Sequence, residues 1–362
     1  MSGLSVTIIV LLCLNPVHPY TPLSNSTLST LPRPGVDFNI HTGAILSPLL
    51  RPRVAGTAGS ENARRHISDI FATYLPNWTI EYQTSSARIP IQGSPETPFT
   101  NIIVSRDPPG LETHDVGRLT LAAHYDSLLN PELDGFIGAI DSAAPCAILM
   151  HLARSIDGAL SRKWDAFDTS DNDTTGIQIL FLDGEETFAN TLLADDGLYG
   201  SRSLAAQWAV DTYSYPSSAK YESRLDAIEL FVLLDLLGAR GPSIPSFYPV
   251  THGEYQRLAE SERKLREMGL FHSDGRRVWF VDGDLDARDV DRKIVQDDQV
   301  PFSALGVEVL HVIDADPLTG DFPAAWHTMD DDGAHLDLET VGDWSVLVTS
   351  FVAGWLGLEG YL

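Results

Sequence analysis

Cysteine is nearly absent from this sequence of 362 residues, which contains only Cys13 and Cys146. Cys13 lies in an N-terminal apolar stretch that we expect to be removed, so the mature protein keeps one thiol. A single cysteine excludes an intramolecular disulfide and a zinc site built from thiolates. Because the residues around Cys146 are apolar, we expect an inert buried thiol and not a nucleophile.

Basic residues are also scarce: 24 Lys and Arg stand against 50 Asp and Glu, which gives a formal net charge of −26. Nucleic acid and anionic membrane surfaces are bound by clustered Lys and Arg, so the composition argues against both partners. The chain also lacks an internal repeat, a glycine-rich phosphate loop and a serine nucleophile elbow. We expect a monomer that binds neither nucleic acid nor membranes.

Long apolar runs are missing as well. The stretch 6–14 is too short to cross a bilayer, which takes roughly 20 apolar residues. It resembles a secretory signal, and we assign residues 1–18 to a signal peptide. Residues 19–45 are rich in Pro, Ser and Thr and are predicted as a loosely held arm, which leaves 46–362 as one domain. A secreted glycoprotein also fits the three glycosylation sequons, at Asn25, Asn77 and Asn172.

Apolar strand patterns and helical patterns alternate along this domain. The predicted strands are 78–82, 101–105, 119–123, 177–182, 227–234 and 308–313. The predicted helices are 60–75, 142–156, 199–210, 254–268 and 339–356. Such alternation predicts a single α/β domain with a mostly parallel central sheet and helices on both faces.

Two adjacent carboxylates, Glu185 and Glu186, are the most informative feature of the chain. They follow the apolar run 177–182, at the carboxyl end of a predicted buried strand, where open α/β sheets place their ligands. Acidic residues after a strand are more often a solvated turn or the start of a helix. Two further predicted strands nevertheless end in His124 and Asp235, and three such ends together favour a functional site.

Asp141 and His327 extend this group to a set of His, Asp and Glu side chains that suits zinc. One carboxylate of the Glu pair could bind the metal while its neighbour moves protons. A histidine considered alone is more often a satisfied polar residue than a ligand. The residues by themselves therefore leave open which of these side chains bind the metal.

Seven segments resemble the secreted glutaminyl cyclases of animals, and their order and spacing match from about residue 46 to the C-terminus. They are 124–127, 140–147, 183–186, 198–202, 232–239, 296–302 and 326–331. The resemblance implies the fold of the zinc aminopeptidases and makes 46–362 the catalytic domain. It also implies conversion of an N-terminal glutamine of peptides or proteins into pyroglutamate, with release of ammonia.

The resemblance implies a role for each matching residue. Asp141, Glu186 and His327 would bind one Zn²⁺ per chain, and Glu185 would be the acid and base that transfers protons.

Around this centre, Asp235 and Asp297 would form a hydrogen-bonded acidic pair beside the substrate. Trp326 would be a wall of the substrate pocket, with Gln296 and His311 as further substrate-binding positions near the acidic pair.

Two departures from the family pattern stand out. The family usually has a tryptophan shortly after the Glu pair, where this chain reads Thr-Phe-Ala-Asn-Thr-Leu-Leu over 187–193. The pocket has therefore lost one aromatic wall, or Phe188 or Leu192 replaces it. A cysteine common in animal members is Ala123 here, so Cys146 lacks the partner that it has in those relatives.

The main alternative is a secreted zinc aminopeptidase of the same fold, in which His124 and Asp235 would bind a second metal. A second alternative is an inactive binding protein on this scaffold. The 296–298 segment and Trp326 directly before His327 favour the cyclase, and the intact acid and metal set disfavours the inactive protein.

Overall fold

The structure is a computed structural model that describes residues 20–91, 93–166, 174–189, 196–213, 219–275 and 277–362. Within these ranges six strands form one sheet. They are β1 (Thr79–Arg88), β2 (Glu96–Arg106), β3 (Gly117–His124), β4 (Thr175–Leu182), β5 (Ile228–Asp235) and β6 (Val309–Ile313).

The strand order across the sheet is β1-β2-β4-β3-β5-β6. The four strands β3 to β6 are mutually parallel, whereas β1 and β2 form an antiparallel hairpin that pairs with β4 at one edge. Every residue of β3 and β4 is buried, as expected for central parallel strands covered on both faces. The predicted mostly parallel sheet is thus confirmed, with a mixed edge.

Helices cover both faces of this sheet, as predicted. In the described residues they are α1 (Asn25–Leu28), α2 (Ala58–Tyr74), α3 (Ala144–Ala166), α4 (Tyr199–Val210), α5 (His252–Glu267), α6 (Val300–Ser303) and α7 (Leu338–Trp355). α2, α3, α5 and α7 pack with one set of strand residues, which includes Leu121. α4 and α6 pack with the other set, which includes Ala122. Adjacent residues of a strand face opposite sides of the sheet, which explains the division into two cores.

The residues predicted as a loosely held arm pack against the domain from Tyr20 onward. Leu23, Leu28 and Phe38 are buried in the larger core, where each fully buried Leu or Phe side chain contributes about 1.5–3 kcal/mol. Arg33 Nη2 also forms an ion pair with the buried Asp343 of α7, at 2.6 Å. The apolar residues of this segment stand singly among Pro, Ser and Thr, so its composition does not indicate that it packs against the domain.

The boundaries at residues 18 and 45 stay predictions, and the assigned signal peptide lies outside the described residues. Among the helices that the structure describes, none has the length and apolar character needed to cross a membrane.

Cys146 is a free, buried thiol on α3, and its Sγ lies 3.1 Å from the carbonyl oxygen of His124. Burial raises the pKa of Cys146 to about 12, so the thiol stays protonated. Ala123 belongs to the same core cluster as Cys146, on the same face of the sheet. The prediction of an inert buried thiol is confirmed, and the family's disulfide partner would sit at Ala123.

We expect Ala123→Cys to form a disulfide with Cys146 and to raise the free energy of unfolding by about 2–4 kcal/mol. Thermal melting with and without reductant, together with thiol counting, measures the effect. Ala122→Cys is the matched control, because Ala122 is equally buried but faces the opposite side of the sheet. A stabilisation that persists in reductant would show that it does not come from the bond.

Candidate active site and metal centre

The carboxyl ends of the parallel strands meet at one edge of the sheet. β3 ends at His124, which pairs with Leu182 of β4, and β5 ends at Asp235, which pairs with Ile313 of β6. The Glu pair follows the end of β4 after Asp183 and Gly184. The three strand ends predicted to form a site therefore converge, as the topology of an open α/β sheet requires.

Two loops add the remaining residues. Asp141 lies in the turn Ala139–Ala143 that leads into α3, and His327 lies in the loop after β6. His327 has a φ of +52°, a left-handed conformation that a residue other than glycine seldom adopts. Leu236, directly after Asp235, has a φ of +55°, and its backbone N–H donates to Asp235 Oδ1 at 2.8 Å. Such unusual conformations tend to occur at functional sites.

Asp141, Glu186 and His327 form a compact cluster. His327 Nε2 lies 3.4 Å from Asp141 Oδ2 and 3.4 Å from Glu186 Oε2. One ligand atom from each residue can be chosen so that all three lie within 4.8 Å of one another. Among the described residues, Asp141 Oδ2 and Glu186 Oε1 are buried without a hydrogen-bond partner. Two carboxylates and one imidazole with unpartnered oxygens fit a zinc ion.

A second cluster shares Asp141 with the first. His124 Nε2 lies 2.9 Å from Asp141 Oδ1 and 3.5 Å from Asp235 Oδ1. The Ser142 hydroxyl donates to that same oxygen of Asp235, which also accepts the Leu236 N–H. One ligand atom from each of His124, Asp141 and Asp235 can likewise be chosen so that all three lie within 4.8 Å of one another, and His124 Nδ1 is buried without a hydrogen-bond partner. The geometry of this second cluster therefore also allows a metal ion.

His327 and the two carboxylates of the first cluster shift one another's pKa values. Burial alone would raise the pKa of Asp141, but its contacts with His124 and His327 hold that pKa well below the ordinary value. Burial alone would lower the pKa of His327, but its contacts with Asp141 and Glu186 raise it to about 10. Burial and the charge of Asp141 raise the pKa of Glu186 to about 7. The site thus strongly favours positive charge.

Glu185 differs from its neighbour in environment, because Glu185 is half-buried whereas Glu186 is buried. The backbone N–H groups of both residues donate to the two carboxylate oxygens of Asp126, each at 3.2 Å. Burial raises the pKa of Glu185 well above its ordinary value, although the charge of His124 opposes the shift. A raised pKa makes a carboxylate a stronger base, which favours its taking up the proton that a general acid and base must transfer.

Asp235 and Asp297 are both buried and interact electrostatically, but in the described residues no hydrogen bond joins the two carboxylates. Asp297 Oδ1 instead accepts the Asp298 N–H at 2.6 Å. Burial, followed by the charge of Asp297, raises the pKa of Asp235 to about 6. His311 Nε2 lies 2.8 Å from Asp297 Oδ2, and its Nδ1 lies 3.2 Å from Gln299 Nε2. His311 is itself buried, and its contact with Asp297 can hold that carboxylate in place.

The predicted pocket residues lie at the surface of the site. Trp326 is 36% exposed, and its ring stacks on the His327 ring with centroids 3.9 Å apart. Phe322 packs edge-on against Trp326, with centroids 4.8 Å apart. Gln296 is exposed and directly precedes the buried Asp297. An exposed aromatic ring above a candidate ligand is the arrangement that a pocket wall requires.

Several supporting residues were missed from the sequence. Asp126 accepts from the Glu pair, Ser142 donates to Asp235, and Asp331 Oδ1 accepts the Ile140 N–H at 2.7 Å. All three lie in segments that carry the family resemblance. Their positions next to predicted site residues were the available signal, but their roles depend on contacts between distant parts of the chain.

Comparison with known proteins agrees with this geometry. Residues 101–352 match the model of Peptidase family M28. The glutaminyl-peptide cyclotransferase of Bos taurus is 36% identical over 316 residues, which cover 86% of this chain and 81% of that protein. The chain therefore belongs to family M28, among the glutaminyl-peptide cyclotransferases. The family resemblance read from the sequence is confirmed.

Solved structures show the same fold in this family. The glutaminyl cyclase of Macrostomum lignano superposes with a TM-score of 0.75 at 26% identity and covers 93% of this chain and 95% of its own. A zinc-dependent exopeptidase of Parabacteroides distasonis has a TM-score of 0.62 at 20% identity, over 88% of this chain and 98% of its own, which shows the shared fold alone. The predicted zinc-aminopeptidase-like fold is confirmed.

Proposed function

We propose that this protein is a zinc-dependent glutaminyl-peptide cyclotransferase, which converts the N-terminal glutamine of peptides and proteins to pyroglutamate and releases ammonia. The observation that carries the proposal is the half-buried Glu185 beside the cluster of Asp141, Glu186 and His327, in a chain 36% identical to a cyclotransferase. The aminopeptidase of the same fold is the weaker alternative, because the similarity to that class shows the fold alone.

Asp141, Glu186 and His327 would hold one zinc ion per chain. Bound there with an open position, zinc would supply a Lewis acid for the γ-carbonyl oxygen of the substrate glutamine. The second cluster of His124, Asp141 and Asp235 could also hold an ion. The proposal assigns its side chains to hydrogen bonds instead, among them those that Asp235 accepts from Ser142 and Leu236.

Glu185 would move the proton. A protonated α-amine is not a nucleophile, so a Glu185 carboxylate oxygen would accept its proton and then deliver it to the departing ammonia. The raised pKa of Glu185 suits the first step, because it makes the carboxylate a stronger base toward the amine proton. Glu185 is attached directly to the ligand Glu186, which fixes the proton carrier beside the reacting carbonyl.

Asp235 and Asp297 would hold the leaving nitrogen, with one of the two carboxyl groups protonated. Neighbouring buried carboxylates seldom both stay ionised, and the raised pKa of Asp235 agrees with that. His311 would keep Asp297 oriented through the 2.8 Å contact.

Trp326 would bend the glutamine side chain back toward its own amine, with Gln296 at the rim of the pocket. The nucleophile is then intramolecular, so positioning removes most of the entropic cost of the attack.

The two enzymatic hypotheses give different products. Purified protein is incubated with a peptide that begins with glutamine and, separately, with an aminoacyl amide. Cyclisation releases ammonia and leaves a pyroglutamyl peptide with the same number of residues, whereas an aminopeptidase releases the first amino acid. Release of free glutamine without pyroglutamate would contradict the proposal.

The pocket should be incomplete on one side, because the chain lacks the family tryptophan after the Glu pair. Phe188 packs into an aromatic cluster with Phe99 and Tyr199, which commits its ring to the core. Thr191 and Leu192 lie outside the described residues. We expect weak apparent affinity and loose selection of the residue after glutamine.

Introducing tryptophan at Thr191 or Leu192 should therefore lower KM while kcat changes little, because a restored wall binds the substrate and its transition state alike. Steady-state kinetics on Gln-initiated peptides measure both parameters. An unchanged KM for both variants would show that another side chain already fills the space.

We further propose that the protein is a secreted, monomeric glycoprotein. Asn25 and Asn77 are exposed, as glycosylated residues must be, and Asn172 lies outside the described residues. Expression in a secretory host, followed by enzymatic removal of N-glycans, should increase the gel mobility of the protein from the medium.

A further inference from the structure

Arg53 is a buried arginine that the proposed chemistry does not use. The residue is fully buried, at 0% exposure. The five N–H groups of its guanidinium serve six backbone carbonyl oxygens, at distances between 2.6 and 3.3 Å, because Nη1 shares its two N–H groups among three of them. The six oxygens belong to Leu49, Arg51, Tyr125, Asp126, Ile137 and Gly138. One cation therefore joins three separate segments of the chain.

The first connection leads to the Glu pair. Nε donates to the Tyr125 carbonyl at 2.8 Å and Nη2 donates to the Asp126 carbonyl at 3.3 Å. The carboxylate of Asp126 in turn accepts the backbone N–H groups of Glu185 and Glu186, each at 3.2 Å. Fixing the backbone at Asp126 thus fixes the position of the candidate ligand Glu186.

The second connection leads to Asp141. Nη1 donates to the Ile137 carbonyl at 2.7 Å and Nη2 donates to the Gly138 carbonyl at 3.1 Å. At Gly138 the chain turns so tightly, with a φ of +64°, that a Cβ would lie 2.1 Å from the Asp141 carbonyl oxygen. The carbonyls held by Arg53 therefore belong to the turn that aims the Asp141 side chain.

Only an arginine suits this place. The guanidinium has five N–H donors in a fixed planar fork, whereas a lysine ammonium has three donors and no fork. Burial lowers the pKa of Arg53, but nearby negative groups, among them Asp126, Asp331 and Asp141, oppose that shift and keep the group charged. The positive charge of Arg53 in turn attracts these acidic side chains.

We propose that Arg53 is a positioning residue, which fixes the candidate ligands Asp141 and Glu186 relative to each other through the backbone on either side. The inference rests on the proposed zinc site. Arg53 contacts neither substrate nor metal in this role, and it acts on the geometry of the ligands alone. Residues that orient metal ligands typically change metal affinity or activity by about 10- to 100-fold when they are replaced.

The test uses the full chain, first stripped of metal and then titrated with zinc in competition with a chromogenic chelator. Arg53→Lys should bind zinc about 10- to 100-fold more weakly than the wild type. It should also lower kcat with little change in KM, because the substrate pocket itself is untouched. Wild-type zinc affinity in the folded Arg53→Lys variant would overturn the inference.

Arg118→Lys is the matched control. Arg118 is 6% exposed and is the second residue of β3, the strand that His124 ends. Its Nε donates to Asp107 Oδ1 at 2.9 Å. This variant loses a comparable buried guanidinium far from the site. It should melt at a lower temperature than the wild type but bind zinc with wild-type affinity. Equal weakening of zinc binding in Arg118→Lys would overturn the inference, since general loss of stability would then explain both variants.

If Arg53→Lys does not fold, Asp126→Asn tests the same connection from the other side. An amide NH₂ cannot accept the second of the two N–H groups of the Glu pair, so zinc affinity should fall in the same range. Unchanged zinc affinity in Asp126→Asn would overturn the inference. A wild-type chain that binds no zinc would instead contradict the proposed metal site, and the titration of the wild type detects that failure first.

Discussion

Replacing Glu185 with glutamine should lower kcat by about 10²- to 10⁴-fold, the range that general acid–base catalysis typically contributes. The amide keeps the shape of the side chain but cannot take the amine proton and return it to ammonia. Substrate binding should change little, so KM should stay close to the wild-type value. Steady-state kinetics and elemental analysis of the same preparation measure the rate and the metal content.

Glu186→Gln is the matched control, one residue away on the same loop. A neutral amide is a poorer ligand than a carboxylate, so this variant should lose zinc affinity and recover part of its activity in excess zinc. Metal loss in Glu185→Gln together with metal retention in inactive Glu186→Gln would mean that the two roles are exchanged. Full activity in both variants would place the active site elsewhere.

The sequence predicted those features that depend on local pattern. Largely apolar runs predicted the buried strands β3 and β4, and the polar residues that follow these runs predicted where the site would lie. β6 was predicted at 308–313 and forms at Val309–Ile313. The edge hairpin was predicted too short, because most residues of Gln83–Arg88 are polar and at least partly exposed, and only pairing with β2 makes them a strand.

The supporting contacts of the site could not be predicted in the same way. Arg53 is hydrogen-bonded to carbonyls 72 to 85 residues further along the chain as well as to its near neighbours. Hydrogen bonds between a side chain and a distant part of the backbone leave no periodic pattern and no fixed spacing in the sequence. α3 likewise continues to Ala166, ten residues beyond its predicted end, because packing against α2 and α7 outweighs the glycine at position 158.

Removal of zinc should abolish cyclisation, and one equivalent of zinc per chain should restore it. The three-residue cluster of Asp141, Glu186 and His327 is sufficient for one site that keeps an open position. Zinc at 1,000 times its Kd should stabilise the folded chain by about 4.1 kcal/mol relative to the metal-free protein, provided that the unfolded chain does not bind it. Elemental analysis, chelator titration and thermal melting give the stoichiometry, the affinity and the stabilisation.

The pH dependence of this affinity has a definite sign. In the metal-free protein the pKa of His327 is raised to about 10, so at neutral pH zinc must displace a proton from its imidazole. Zinc affinity should therefore increase as the pH rises from 7 toward 10, with release of protons on binding.

His124→Ala separates the one-metal site from the two-metal alternative. His124 contacts Asp141 and Asp235, which would be its partners in a second metal site. Under the cyclase assignment the variant should still bind close to one zinc per chain when the metal is saturating, although the loss of a contact to the ligand Asp141 should weaken the affinity. Two tightly bound zinc ions in the wild type, one of which is lost in His124→Ala, would assign the protein to the aminopeptidases, because a second metal bound by His124 and Asp235 belongs to that chemistry.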